Sequence, residues 1–324
     1  EYWNGSAWFQ VHTATPNLAS AGDPTPGARG IFAGGFLNPG DSDTIDYINI
    51  SSTGNATDFG NLTGGRRTHG TGASQTRGLC MGGYGGGGLA SIDTITIAST
   101  GDATDYGDLV LGARWNTAGA SNATRSLLMG GETPSPSYVN EIEYMVIAST
   151  GAGIDFGNLT GACRPGGQNG LASPTRVVVA LGNTPSGRVS TLNFIAIATL
   201  GDAQDFGDLS VSRSRSGALS NATRGLFGGG GNSPTNYTLI DYITIASGGN
   251  ASKFGDLTVT GFRGGAVSSP TRGAWGGGVD VGGGSKTTVI DYVEIATEGN
   301  AVDFGDLSVS RGQCTGFSNA HGGL

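Results

Sequence analysis

The sequence predicts an all-β protein, a single β-propeller of seven four-stranded blades spanning residues 1–324, and three observations carry that reading. First, one pattern recurs from end to end: an apolar strand opened by Arg, a Gly-rich turn, an I-D-Y strand, an S-T-G-N/D-A turn and a D-F-G-x-L strand. Self-similarity at such a period, with four strand-like segments per unit, has the size of one propeller blade. Second, 62 of the 324 residues are Gly, which would cost roughly 1 kcal/mol each relative to Ala inside helices. Third, no stretch shows helical apolar periodicity of useful length. Short apolar runs bracketed by Gly-rich turns instead fit tight hairpins.

One unit illustrates the elements in order. Residues 216–220 form strand one, built of small side chains because innermost strands crowd where blades converge. Residues 224–229 form strand two, an apolar run that starts at Arg and ends in Gly. Residues 240–245 alternate apolar and polar, as a half-buried third strand should. Gly248-Gly249-Asn250 supplies the positive-φ residues of a tight hairpin. Residues 254–259 make strand four, the blade edge.

The Arg that opens strand two recurs at Arg29, Arg77, Arg125, Arg176, Arg224 and Arg272, with His321 in the seventh place; the spacings are 48, 48, 51, 48, 48 and 49 residues. The D-F-G step places Asp58, Asp105, Asp155, Asp205 and Asp303 in register, with Lys253 in the remaining unit. Glu1-Tyr2 fits the I-D-Y slot, followed by an Asn4-Gly5 turn and Trp8, so the N-terminus reads as strands three and four of a blade. Residues 313–324 read as strands one and two. Six complete units and two half-blades then make seven, and joining the halves removes exposed sheet edges.

A second Arg precedes strand one, at Arg66, Arg114, Arg164, Arg213, Arg263 and Arg311. Enzymes use one constellation, whereas these charges repeat in every unit. Arg–carboxylate and Arg–carbonyl contacts that fix blade register are the expectation; a ring of Arg binding an anion is the alternative. Asp102, Asp105 and Asp108, like Asp202, Asp205 and Asp208, have oxygens that Ca²⁺ could use, but the spacing is not that of an EF-hand and Asp is also a natural turn residue. The three His (His12, His69, His321) are scattered, and no HExxH, GxSxG or phosphate-loop motif occurs. The three Cys (Cys80, Cys163, Cys314) lack CxxC spacing and read as buried small hydrophobes. No catalytic, cofactor or metal residue is therefore assigned. The strand 2–3 loops, at residues 84–91, 132–140, 232–239 and 279–288, differ between units and are the binding candidates.

The apolar strand two ending in a Gly doublet (Gly34-Gly35, Gly82-Gly83, Gly130-Gly131, Gly229-Gly230, Gly277-Gly278), with aromatics in strands three and four, resembles the kelch repeat. Closer still, T-R-G-L-F-G-G-G at 223–230 and I-D-Y-I-T-I-A-S at 240–247 resemble Gly-rich repeat proteins of tailed bacteriophages, especially marine and cyanobacterial ones. That resemblance implies a non-enzymatic virion protein of the tail, fibre or capsid surface, serving assembly or host attachment, outside the cell on the particle. Its partners would be other virion proteins and a host glycan or receptor, and the particle would set its oligomeric state. A lectin-like carbohydrate-binding propeller is the alternative. An enzyme of galactose-oxidase or sialidase type is remote, because its Cys, Tyr and His set or its Asp boxes are missing.

Composition narrows the classes further. Charged residues are 13% of the chain and the net charge is −8, unlike the clustered Lys/Arg of a nucleic-acid surface. Only two of the 17 cationic residues are Lys, so the surface is mostly Ser, Thr, Asn and Gly. No signal peptide or apolar run of membrane-spanning length is present. A chain starting at Glu1 without Met is expected to be a processed product or part of a longer polypeptide.

Overall fold

Strand one of every repeat is short, small and buried along its whole length, and six copies of it converge on a common axis. In the computed structural model, residues 2–3, 8–9, 28–135, 137–262, 264–279 and 285–324 are described, and no helix occurs among them. Six four-stranded antiparallel sheets stand around the axis. Blade 2 contains Gly70–Ala73, Arg77–Met81, Ser91–Thr96 and Thr104–Asp108; blade 3 contains Ala118–Ser121, Arg125–Glu132, Tyr138–Val146 and Ile154–Cys163. Blade 4 is Gly170–Ala172, Arg176–Ala180, Thr191–Ala196 and Gln204–Asp208; blade 5 is Gly217–Ser220, Arg224–Gly228, Leu239–Thr244 and Ser252–Asp256. Blade 6 is Gly265–Ser268, Arg272–Gly276, Val289–Glu294 and Val302–Asp306.

Blade 1 closes the ring. Its strands two to four are Arg29–Ala33, Thr44–Asn49 and Thr57–Asn61, and its innermost strand is the C-terminal Thr315–Ser318. Ile31 lies opposite Phe317, and Ala33 opposite Thr315. The ends of the propeller thus share one sheet, but the count is six, not seven. Each strand type occurs six times between Arg29 and Ser318, so the sheets are complete without the N-terminal segment. Tyr2–Trp3 and Trp8–Phe9 pair with each other in a separate two-stranded hairpin; the pattern that mimics an I-D-Y strand there does not join a blade. Residues 313–324 supply one strand rather than two, and His321 does not open a seventh strand two. Glu1, Asn4-Gly5, His12, Arg263 and residues 280–284 of the 279–288 loop lie outside the described residues.

Apolar packing is organised between blades. Ile31 and Phe59 of blade 1 cluster with Cys80 and Ile95 of blade 2. The same arrangement recurs at every junction, including the closing one, where Phe304 and Ile290 of blade 6 meet Phe32 and Ile48 of blade 1. Fully burying one such side chain contributes roughly 1.5–3 kcal/mol.

Backbone hydrogen bonds reinforce each junction. The turn after strand three reaches the outer strand of the preceding blade: the Gly101 N–H donates to the Phe59 carbonyl at 2.8 Å and the Ala103 N–H to the Asn61 carbonyl at 2.7 Å. Across the closing junction the Gly54 and Ala56 N–H groups donate to Phe304 and Asp306, both at 2.8 Å. This explains the invariant Gly of D-F-G. Gly60 has φ +144°, and a Cβ there would sit 2.5 Å from the Gly101 carbonyl oxygen; only Gly lets the two backbones approach.

A six-bladed ring closed by Thr315–Ser318 makes a direct prediction. Removing residues 1–27 is expected to leave cooperative urea unfolding with its midpoint little changed. Truncation after Arg311 is expected to abolish the cooperative transition. Loss of cooperativity in the N-terminal deletion would restore a closure through Tyr2 and Trp8.

Candidate functional site

The strand-two Arg residues are inter-blade tethers. From the first turn of its strand each reaches the end of strand three in the next blade: Arg29 Nη1 donates to the Ile97 carbonyl (2.8 Å), Arg77 to Ile147 (3.0 Å), Arg125 to Ile197 (3.0 Å), Arg176 to Ala246 (2.7 Å), Arg224 to Ile295 (3.1 Å) and Arg272 to Ser51 (3.0 Å). Five of the six guanidinium groups also stack on the strand-three aromatic of their own blade, as Arg29 does on Tyr47 at 4.5 Å. Arg77 has no such ring because Thr94 stands there. Under each ring lies the D-F-G aromatic in edge contact, as in Tyr47–Phe59 at 6.1 Å.

The second Arg series forms buried ion pairs with the acid of I-D-Y. Arg66–Asp93 and Arg114–Glu143 lie at 2.7 Å, Arg213–Asp241 and Arg311–Asp46 at 3.0 Å, and all eight side chains are at most 2% exposed. The same carboxylate accepts bonds from the end of the preceding blade: Thr63 N–H and Oγ1 both donate to Asp93, and Ser210 N–H and Oγ to Asp241. Glu143, one methylene longer, reaches the backbone N–H groups of Val110 and Leu111 instead. Arg164 departs from the series. It pairs across the chain with Asn183 as Arg67 pairs with Tyr84, so Cys163 occupies the buried Arg position of its blade. The acid there is Asn193, which takes the Thr160 bonds alone. A neutral Cys and Asn have replaced a charged pair together.

The D-F-G carboxylates Asp58, Asp105, Asp155, Asp205 and Asp303 are exposed on the outer strands and are not the partners of these Arg residues. The slot even accepts Lys253, which bridges to Asp256 at 2.7 Å. The Asp triples do not converge: Asp102 accepts the Asn61 N–H of blade 1, while the Asp108 carbonyl accepts the Gly153 N–H of blade 3. No group of three or more His, Cys, Asp or Glu is placed for a metal among the described residues. All three Cys are free and buried, and burial pushes the Cys163 thiol up to about 12.

Unrepeated residues gather on one face, where the strand 4–1 and strand 2–3 loops meet. Thr68, Asn116, Arg215 and Gln313 hold equivalent places in four blades and have left-handed φ of 50°, 53°, 60° and 55°. Such a conformation costs about 1–2 kcal/mol per non-Gly residue. In blade 4 the corresponding stretch is Pro165 followed by Gly166 and Gly167, both with positive φ (89° and 122°), and the blade 6 position lies outside the described residues. The four line a funnel mouth of about 410 Å³ together with Phe36, Arg67, Tyr84 and Trp115. Arg67 is held between Phe36 and Tyr84, 4.7 Å from each ring, and pairs with Asp41 at 2.8 Å. Arg164 stacks on Tyr138 and pairs with Glu132 at 3.0 Å. Sequence reasoning selected the variable loops but not this ring. Its positions read as ordinary loop residues until the backbone geometry sets them side by side.

The funnel is blind. Gln168 crosses the axis, its Nε2 donating to the Ala266 carbonyl (2.6 Å) while its Oε1 accepts the Ala266 (2.8 Å) and Gly316 (2.6 Å) N–H groups. At the opposite end the C-terminal residues cover the axis: His321 Nε2 meets the Ala73 carbonyl (2.8 Å) and Ser121 Oγ (3.2 Å), and Gly322 N–H donates to Ser220 (2.9 Å). Between these two plugs remains a space of only about 40 Å³, room for about one water.

No family model matches the chain, and no curated protein matches it.

Two predictions follow from these contacts. Arg213→Ala strands the Asp241 carboxylate in the interior and is expected to cost about 3–5 kcal/mol in urea unfolding. The double variant Arg213→Cys with Asp241→Asn, which copies Cys163 and Asn193, should recover much of that loss; equal losses would refute the pairing. Burial lowers the His321 imidazole from 6.5 to about 4, so the folded protein favours neutral His321 and the unfolded chain takes up the proton first. This contribution is present above pH 6.5 and is lost as the pH falls towards 4. His321→Gln should flatten the stability profile across that window.

Proposed function

We propose that this chain is a non-enzymatic interaction protein of a tailed-phage particle, in which the six-bladed ring is a rigid support and the funnel face makes contact with partners or host. The observation that carries the reading is a division of labour among residues. The repeated Arg residues, strand-three acids and aromatic side chains are consumed in holding blade to blade, whereas unrepeated Arg, aromatic and amide groups collect at one mouth. The kelch-like Gly doublets and aromatic pairs, and the likeness of 223–230 and 240–247 to phage Gly-rich repeats, favour the virion setting.

A lectin-like reading of the same face is favoured by the mouth itself, a cavity of about 410 Å³ lined by amide, hydroxyl and aromatic groups. It is a way for a particle to attach and is compatible with the first reading. An oxidase or glycosidase reading gains nothing from the mouth, where the carboxylates Asp41 and Glu132 are each tied to an Arg.

Mass spectrometry and immunogold labelling of purified particles from the source that encodes the chain test the proposal. The chain is expected in stoichiometric, regularly placed copies on the particle surface. Its restriction to the soluble fraction of infected cells would overturn the virion assignment.

A further inference from the structure

We propose that the funnel mouth binds the carboxylate of an acidic saccharide, with Arg215 as the residue that receives it. The inference rests on the funnel face being the recognition face. Arg215 lies across the mouth with its stem over Gly166, where an added Cβ would be 2.6 Å from Arg215 Cγ, and its guanidinium stacks on Phe262 at 5.3 Å. Among the described residues that guanidinium makes no hydrogen bond and no ion pair.

The surroundings make the missing partner expensive. Burial lowers the affinity of Arg215 for its proton, and Arg164, Arg188 and Arg67 lower it further, with Glu132 the one opposing charge. Glu132 is already engaged by Arg164 at 3.0 Å and by Asn116 Nδ2 at 3.2 Å. Asp41 is engaged by Arg67. Arg188 is tied to Ser214 Oγ at 3.1 Å. A partly desolvated cation with no counter-charge is unfavourable unless an anion arrives. This one is held on left-handed backbone inside a chain of net charge −8.

Shape and chemistry select the anion. Among the described residues of the mouth, Arg215 is the guanidinium left unpaired, and its planar fork matches a carboxylate in bidentate geometry. The cavity falls within the roughly 300–1,000 Å³ range of small-molecule sites. Its floor is closed by Gln168, so it accepts a chain end and not a chain running through. Beside Arg67, which is paired with Asp41, the mouth carries neutral polar groups: the Gln313 amide has no partner among the described residues, and Asn116 and Thr68 also line it. Such groups suit sugar hydroxyls, and Trp115 offers an aromatic surface for the ring.

Calorimetric titration of the full chain with a disaccharide ending in glucuronate, against its neutral glucose counterpart, is the test. The acidic sugar is expected to bind at least about tenfold more tightly, and increasingly so at low salt. Arg215→Gln should lose at least about tenfold with an unchanged melting temperature, Arg215→Lys should retain part of the affinity, and Lys253→Gln on the outer edge should bind as the parent does. The proposal falls if the neutral sugar binds equally, if Arg215→Gln binds normally, or if inorganic phosphate or sulfate binds as tightly as the acidic sugar. Particle location is read by labelling, so failure of the titration leaves the virion assignment standing, and the reverse also holds.

Discussion

The buried acid on strand three is the constraint around which the ring is arranged. At Asp93 it accepts two bonds from Thr63 of the preceding blade and a charge-assisted bond from Arg66, on the link between the two blades. One side chain thereby fixes the distance and register between adjacent sheets. Repeating that clasp sets the angular step from blade to blade, and the step decides how many blades close. The tether of each strand-two Arg to the next blade then locks the other face of the same junction.

What the clasp supplies is register more than stability. Removing charges from water is costly, and a buried pair recovers that cost only with full hydrogen bonding. Here the recovery is incomplete: Arg213 and Arg311 each leave Nε and Nη1 without a partner. One junction dispenses with the charges altogether, since Cys163 and Asn193 stand where the pair would be, and the Thr160 bonds to Asn193 persist. The neutral bonds from the preceding blade and the apolar clusters carry that junction. The ion pair is thus a refinement of the interface, and the bond from a backbone N–H of the preceding blade to the strand-three side-chain oxygen is its common element.

Most of the fold was legible because its determinants are local and repeated. Gly content, strand alternation in Ile240–Ile245 and the D-F-G step each reflect backbone needs that recur in every blade. The blade count was not legible, because it turns on one long-range pairing, that of Ile31's strand with Phe317's at the other end of the ring. Tyr2 and Trp8 imitate a blade pattern over too few residues to reveal that no sheet awaits them. The recurrence of Arg was visible, but not its division into a carbonyl-binding series and a carboxylate-binding one, nor that the acid of I-D-Y and not of D-F-G is the buried partner. The funnel ring left almost no signal, since Thr68, Asn116, Arg215 and Gln313 share a backbone conformation and no chemistry.

That last point bears on why the ring exists. A left-handed position is most cheaply filled by Gly, and this chain uses Gly freely wherever close approach demands it. Four blades nevertheless hold larger side chains there, at a backbone cost of about 1–2 kcal/mol for residues other than Asn, and no two of the four are alike. Strain spread over symmetry-equivalent sites, with the identities differing at each, is not what junction packing requires; the junctions are nearly identical around the ring. That pattern fits the proposed role of the mouth as the contact face, because the unlike side chains there add nothing to the repeated junctions and differ in what they present to the cavity.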